Sequence, residues 1–137
     1  MILVDTNVWS EAFRPEPNAT VRRWATANAG MLWLSTVVIG ELLSSAELLP
    51  RGQRRDKLLT GYKLLIETYS DRIAAFDLDA ALRYGLVVAY MKRAGRNPGT
   101  ADSQIAATAL ARGFVLATRN TMHFEGLGIE LIDPWSA

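Results

Sequence analysis

The feature that most constrains the fold is an uninterrupted apolar run near the start of the chain, Ile2-Leu3-Val4, which ends at Asp5. A strand that is apolar on both faces belongs in the middle of a parallel sheet that helices cover on both sides. Three more apolar runs predict strands at residues 31–34, 73–76 and 114–117, and the segment 129–132 predicts a fifth strand.

Segments with helical spacing of apolar residues separate these runs. They predict helices over residues 8–13, from Asn18 to before Gly30, and over residues 37–49, 51–69, 78–94 and 101–112. Strands that alternate with helices imply an α/β fold with a parallel sheet and right-handed crossovers. In such sheets ligands bind beyond the carboxyl ends of the strands, so the functional residues are expected at that edge.

Composition narrows the class of protein. A chain of 137 residues, 50% of them hydrophobic, suits a single domain over residues 1–137 with a substantial core. The absence of cysteine excludes disulfides and thiolate metal sites. A net charge of +1 argues against a protein that coats nucleic acid by bulk charge. We expect a cytoplasmic protein, because the first residues lack the basic stretch and long apolar run of a signal peptide and no apolar run approaches the ~20 residues needed to cross a membrane.

Three acidic residues stand out by their positions. Asp5 ends the first strand, and Glu41 is the only charged residue between Gly30 and Glu47. Asp102 begins an alanine-rich helix and shares an apolar stripe with Ile105, Ala106 and Ala109. Each also has a structural explanation: Asp5 as a turn or helix cap, Glu41 as the partner of a distant arginine, and Asp102 as an ordinary first-turn acid.

Together the three acids are expected to converge on one edge of the sheet. Oxygen ligands alone favour Mg²⁺ or Mn²⁺ over zinc, and the single His123 excludes a site built from several histidines. A cation held there would bind a phosphate oxygen and activate water for attack. This pattern predicts a metal-dependent nuclease.

Four stretches of the chain resemble PIN-domain ribonucleases: ILVDTNVWSE, STVVIGELLSS, GTADSQIAATALARG and VLATRNTMHFEGLGIELIDPW. More narrowly, they are similar to VapC-type toxins of type II toxin–antitoxin modules, in the FitB-like branch. The resemblance implies a PIN-like fold, with a five-stranded parallel sheet flanked by helices on both faces. It also implies an endoribonuclease that depends on Mg²⁺ or Mn²⁺ and cuts structured RNA such as tRNA or rRNA.

The resemblance further implies a VapB-like antitoxin that blocks the active site, a homodimer, and a larger toxin–antitoxin assembly on operator DNA. It favours an exposed aromatic groove for the partner, near Trp9 or on the helix that carries Tyr62 and Tyr69. A weakly active or inactive PIN-fold binding module within a repressor complex remains the alternative. A haloacid-dehalogenase-like phosphotransferase is less well supported, because those enzymes need a second acid where Asn7 stands.

By position, the resemblance assigns the metal ligands to Asp5, Glu41 and Asp102, which are also the expected catalytic acids. It places other site residues around them: Asn120 as a catalytic residue, and Thr6, Asn7, Thr118, Arg119 and His123 as substrate-binding residues. Family members often carry another aspartate at the position of Asn120 or His123, and neither residue here is acidic. Asn120, His123 or Glu125 could take that role. The sequence therefore leaves open whether the site holds one metal ion or two.

Two basic features have open roles. Arg119 would contact a substrate phosphate or pair with an acid of the site. The run of basic residues at the start of the fourth helix would line an RNA path or remain solvated, and it consists of Arg51, Arg54, Arg55 and Lys57.

Overall fold

The strand that begins the chain lies at the centre of a five-stranded parallel sheet. The computed structural model describes residues 1–137. The strands are β1 (Ile2–Val4), β2 (Leu32–Ser35), β3 (Ile73–Ala74), β4 (Val115–Ala117) and β5 (Leu131–Ile132), in the spatial order β3-β2-β1-β4-β5. All four pairings are parallel. Every residue of β1 is buried, as its apolar sequence predicts for a central strand. The predicted α/β class and five-stranded sheet are confirmed.

Six helices connect the strands, in the predicted order. They are α1 (Thr6–Glu11), α2 (Ala19–Ala27), α3 (Thr36–Glu47), α4 (Gln53–Thr68), α5 (Leu78–Arg93) and α6 (Thr100–Arg112). Two short 3₁₀-helices, Ala29–Met31 and Thr121–Phe124, were not predicted. No helix combines the length and the hydrophobicity that a membrane span requires.

The observed ends of three elements differ from the predicted ends, because a capping side chain sets the start of α1 and a single neighbouring strand limits the length of β3 and of β5. The first helix begins at Thr6, two residues before the predicted start, because the Asp5 side chain caps the Thr6 amide at 2.7 Å. The edge strands β3 and β5 have only two residues each, fewer than predicted. Each lies beside a single neighbour, so its length is limited to the residues that this neighbour can pair.

Aromatic side chains join α1 to α4. Trp9 packs edge-on against Tyr69, and Phe13 packs edge-on against Tyr62, with ring centroids 5.0 and 4.8 Å apart. Gly61 lies directly against Phe13, because a Cβ at that position would come within 2.7 Å of the Phe13 ring. This contact orients α1, and α1 carries the residues that follow β1 at the carboxyl edge of the sheet.

Candidate active site

Asp5 lies at the carboxyl end of β1, where it is 4% exposed. Its Oδ1 accepts a hydrogen bond from the Thr6 amide, and its Oδ2 accepts one from the Thr118 hydroxyl, both at 2.7 Å. Thr118 follows the neighbouring strand β4 and is completely buried. Both carboxylate oxygens are therefore held in a fixed direction by groups from two adjacent strand ends.

Asn7 links the same two strand ends. Its side-chain amide nitrogen lies 3.3 Å from Asp5 Oδ2, and its amide oxygen accepts a hydrogen bond of 3.2 Å from the Arg119 backbone. Thr118 Oγ1 in turn accepts a hydrogen bond of 3.1 Å from the backbone N–H of Asn120. The predicted polar residues around Asp5 thus form one connected network.

Glu41 joins this network through Thr6. The Thr6 hydroxyl donates a hydrogen bond of 2.5 Å to Glu41 Oε1, across 35 residues of sequence. Glu41 takes part in none of the ion pairs of the protein, which involve other acids. The alternative that Glu41 pairs with a distant arginine is therefore wrong.

Asp102 lies in the first turn of α6, and its side chain is 31% exposed. His123 Nδ1 lies 3.4 Å from Asp102 Oδ2. His123 belongs to the 3₁₀-helix Thr121–Phe124, which follows β4. Asn120, His123 and Glu125 are the candidates to replace the additional aspartate of the family, and of these His123 contacts Asp102. The side chains of Asn120 and Glu125 are exposed and make no hydrogen bond or ion pair within the protein.

Electrostatics connect the three acids. Burial is the largest influence on Asp5 and raises its pKa, while the hydrogen bonds from Thr118 and Thr6 oppose that rise. The negative charges of Asp102 and Glu41 raise the pKa of Asp5 further. Asp5 therefore lies within electrostatic reach of both other carboxylates, and a bound cation would relieve the repulsion that they exert on it.

The donor set suits a hydrated cation rather than a closed protein cage. No group of three His, Cys, Asp or Glu side chains lies close enough together to enclose a metal ion. Mg²⁺ usually keeps several waters and is held by one or two carboxylates together with substrate phosphates. An oriented, buried carboxylate with two other acids nearby meets that requirement.

Two possibilities that the sequence left open do not occur in the structure. Arg119 pairs with no acid of the site, because its guanidinium lies over the Trp135 ring at 4.8 Å. Trp9 and Tyr62 do not form an exposed aromatic surface, because these side chains are only 7% and 4% exposed. They pack between α1 and α4 instead.

Sequence reasoning missed Arg96 altogether. From the loop between α5 and α6, its guanidinium donates to the backbone carbonyls of Glu125 at 2.6 Å, His123 at 3.0 Å and Met122 at 3.3 Å. These bonds hold the segment that brings His123 to Asp102. The bonds span 26 to 29 residues, so no local pattern in the sequence indicates them.

The sequence model of the PIN domain family matches residues 2–128. The chain belongs to the PIN domain family. The earlier phosphotransferase alternative is therefore wrong, and the PIN-like fold predicted from the resemblance is confirmed.

Several relatives share the full length of this PIN protein. It is 44% identical to the plasmid stability protein StbB of Pseudomonas syringae pv. tomato, with all of both chains covered. It is 40% identical to the VapC ribonuclease Y4jK of Sinorhizobium fredii, with 98% of each chain covered. It is 33% identical to a tRNA(fMet)-specific endonuclease VapC of Shigella flexneri, with 98% of this chain and 97% of the relative covered.

Solved structures agree with this assignment. The crystal structure of FitAcB from Neisseria gonorrhoeae matches with a TM-score of 0.92 at 33% identity, and all of both chains is covered. A structure of FitAB bound to an IR36 DNA fragment matches with a TM-score of 0.91 at 33% identity, covering 98% of this chain and 96% of the other. The chain is thus a PIN-domain protein of the kind found in VapC and FitB toxins.

Proposed function

We propose that this protein is the toxin of a type II toxin–antitoxin module, acts in the cytoplasm, and is an endoribonuclease that cleaves structured RNA with the help of Mg²⁺ or Mn²⁺. The observation that carries the proposal is the carboxylate of Asp5, buried and oriented at the sheet edge with Glu41 and Asp102 in electrostatic reach. The relatives named ribonuclease or endonuclease support nuclease activity. A relative named for tRNA(fMet) supports tRNA as the first substrate class to test.

In this proposal Asp5, Glu41 and Asp102 hold the cation. When bound, the cation would supply positive charge that attracts the phosphodiester. It would also lower the pKa of a water molecule, so that this water loses a proton more readily and can attack the phosphorus. Thr118 and the Thr6 amide keep the Asp5 carboxylate pointing in one direction, and Asn7 keeps the two strand ends together. Preorganisation of this kind avoids a reorganisation cost when charge develops on the phosphate.

The remaining residues act on the substrate side of the site. The amide side chain of Asn120 and the guanidinium of Arg119 are both exposed, so RNA can reach them. His123 lies beside Asp102 at the same edge. We assign Arg119 and His123 to substrate binding, and Asn120 to a neutral oxygen donor in place of an acid.

Purified protein incubated with tRNA and rRNA fragments tests the proposal directly. We expect cleavage with Mg²⁺ or Mn²⁺, none with a chelator, and a loss of about a hundredfold or more for Asp5→Asn and Asp102→Asn. Cleavage that persists in the chelator, or in both variants, would refute the assignment of these acids.

A second function has one observation in its favour. Asn120 and His123 stand where acidic residues are expected from the resemblance, so a PIN-fold binding module with weak or no catalysis is the alternative. In that case the pure protein binds its partner and operator DNA but leaves every RNA of the panel intact at all metal concentrations.

We also propose a VapB-like antitoxin as partner. A buried carboxylate that two other acids repel is well suited to an arginine fork, which can satisfy two oxygens and compete with the cation. The solved relatives named FitAB and VapBC support a partner of this kind. Co-expression with the neighbouring gene should give an inactive complex, and mutation of one antitoxin arginine should restore cleavage while the complex persists. An active complex would show that the partner binds elsewhere.

A further inference from the structure

A cleft of about 310 Å³ opens beside Asp102. It lies between the loop that joins α5 to α6 and the 3₁₀-helix Thr121–Phe124, and its walls include Arg96, Asn97 and Met122. The volume falls at the lower end of the range for small-molecule sites, so it suits a single ring system rather than a large ligand.

The charge available in the cleft does not suit a phosphate. Arg96 is its only fixed cation, and the guanidinium is directed at the carbonyls of Met122, His123 and Glu125. Asp102 contributes a carboxylate to the lining of the cleft. An anionic group in the cleft would meet a negative side chain and a guanidinium already engaged in hydrogen bonds, so a neutral group fits better.

The walls carry the groups that bind an unpaired base. Met122 is 75% exposed and offers an apolar surface, and the imidazole of His123 is 58% exposed. Asn97 is exposed, and its side-chain amide makes no hydrogen bond within the protein, so a donor and an acceptor are both free. Proteins that read single-stranded RNA stack bases on flat or apolar side chains and bond their edges with amides.

We propose that this cleft holds one unpaired nucleobase of the RNA substrate, adjacent to the phosphodiester at the acidic site. His123 and Met122 contact the faces of the base, and Asn97 reads its edge. Arg96 keeps the cleft open by fixing the wall that carries Met122 and His123. The inference rests on the proposed function and makes Asn97 a residue that determines the sequence preference of cleavage.

Cleavage of an RNA hairpin with a randomised loop tests the role of Asn97. Sequencing of the products should reveal a base preference at one position beside the cut. Asn97→Ala should lose that preference and lower kcat/KM on the preferred RNA about tenfold, mainly through KM. Gln53→Ala removes an exposed amide on α4 and should change neither quantity. An unchanged preference in Asn97→Ala, with wild-type cleavage intact, would overturn the inference and leave the nuclease assignment standing.

A second measurement does not depend on catalysis. The Asp5→Asn variant is mixed with a short single-stranded RNA that carries a photoreactive thiouridine or thioguanosine, and the cross-linked peptide is identified by mass spectrometry. We expect cross-links within residues 96–99 or 121–125, reduced in the Asn97→Ala background. Cross-links confined to other surfaces would overturn the inference. Cross-links in the cleft, together with a wild-type protein that cuts no RNA, would support the cleft and refute the nuclease.

Discussion

At the scale of single residues, Asp5 combines a structural and a chemical role. Its side chain caps α1 through the Thr6 amide, and it is buried with two other carboxylates in electrostatic reach. Capping favours the folded chain, whereas an ionised carboxylate in that place opposes folding when no cation is bound. The two effects are separable, because asparagine keeps the cap and removes the charge.

We predict that Asp5→Asn does not lower the Tm of the metal-free protein at neutral pH. Burial first, and then the charges of Asp102 and Glu41, raise the pKa of Asp5 above 3.8 in the folded protein. The folded state therefore binds this proton more tightly than the unfolded chain. The stability that Asp5 contributes is complete below pH 3.8 and is lost as pH rises through the raised pKa.

Thermal unfolding in a chelator, from acidic to neutral pH, checks this expectation. The Tm of Asp5→Asn relative to that of wild type should increase with pH across this range. Asp56→Asn, which changes an exposed acid on α4, controls for the loss of one charge and should show a flat difference. A large drop in Tm for Asp5→Asn at neutral pH would mean that the carboxylate is mainly structural.

Thr118 allows a second test at this scale. Thr118→Val keeps the shape of the buried side chain but removes the donor to Asp5 Oδ2 and the acceptor for the Asn120 amide. We expect Mn²⁺ affinity, measured by calorimetry, and the cleavage rate to fall about 10- to 100-fold. Thr118→Ser, which retains the hydroxyl, should recover most of both. Equal losses in the two variants would show that packing, rather than the hydrogen bond, is responsible.

At the scale of elements, the segment after β4 depends on a distant arginine. The 3₁₀-helix Thr121–Phe124 has only one buried side chain, Phe124. From the loop between α5 and α6, Arg96 donates to two carbonyls of this helix, those of Met122 and His123, and to that of Glu125, which follows it. Besides the contact between His123 and Asp102, the segment therefore relies on one buried side chain and one guanidinium.

We predict that Arg96→Ala loosens this segment without unfolding the protein. Hydrogen exchange at the amides of residues 121–125 should become faster, while the amides of β1 and β4 stay protected. Arg93→Ala, at the exposed end of α5, is the matched control and should leave the segment unchanged. If exchange in residues 121–125 is the same in both variants, the guanidinium does not hold the segment.

At the scale of the whole molecule, one face of α5 exposes a row of leucines. Leu78, Leu82 and Leu86 recur every four residues and are 73%, 66% and 69% exposed, whereas Tyr90, the next in the row, is 44% exposed and lies against Gly126. Asp79 lies at the amino end of this face, and Lys92 and Arg93 lie at the carboxyl end of the helix. Two copies of α5 packed antiparallel would bury the leucines and bring each acidic end beside a basic end.

We therefore expect a homodimer through α5. Leu82→Glu should shift the protein from dimer to monomer in sedimentation experiments, because it puts a charge in the centre of the buried face. Leu64→Glu, at a leucine on α4 that is 62% exposed, is the control and should leave the dimer intact. A wild-type monomer at high concentration, or a dimer that survives Leu82→Glu, would exclude this interface.

The amino-acid sequence by itself determined the order and type of the main elements. Apolar runs and helical stripes are local patterns, and so are side-chain caps such as Asn18, which accepts hydrogen bonds from the amides of Thr20 and Val21. The apolar β1 could belong only to the middle of a covered sheet, and the acids that follow strand ends belong at its carboxyl edge. These features require no knowledge of distant contacts.

Only the tertiary structure decided which side chains meet. Thr118 reaches Asp5 across 113 residues and Thr6 reaches Glu41 across 35, so their pairing depends on strand order and helix packing. The same packing buried Trp9 and Tyr62, which the sequence alone allowed to remain exposed. In the sequence Arg96 is an ordinary loop cation, and only the fold brings the carbonyls of Met122, His123 and Glu125 to its guanidinium. A local pattern specifies periodicity and capping, whereas a contact between distant segments depends on the packing of the whole chain.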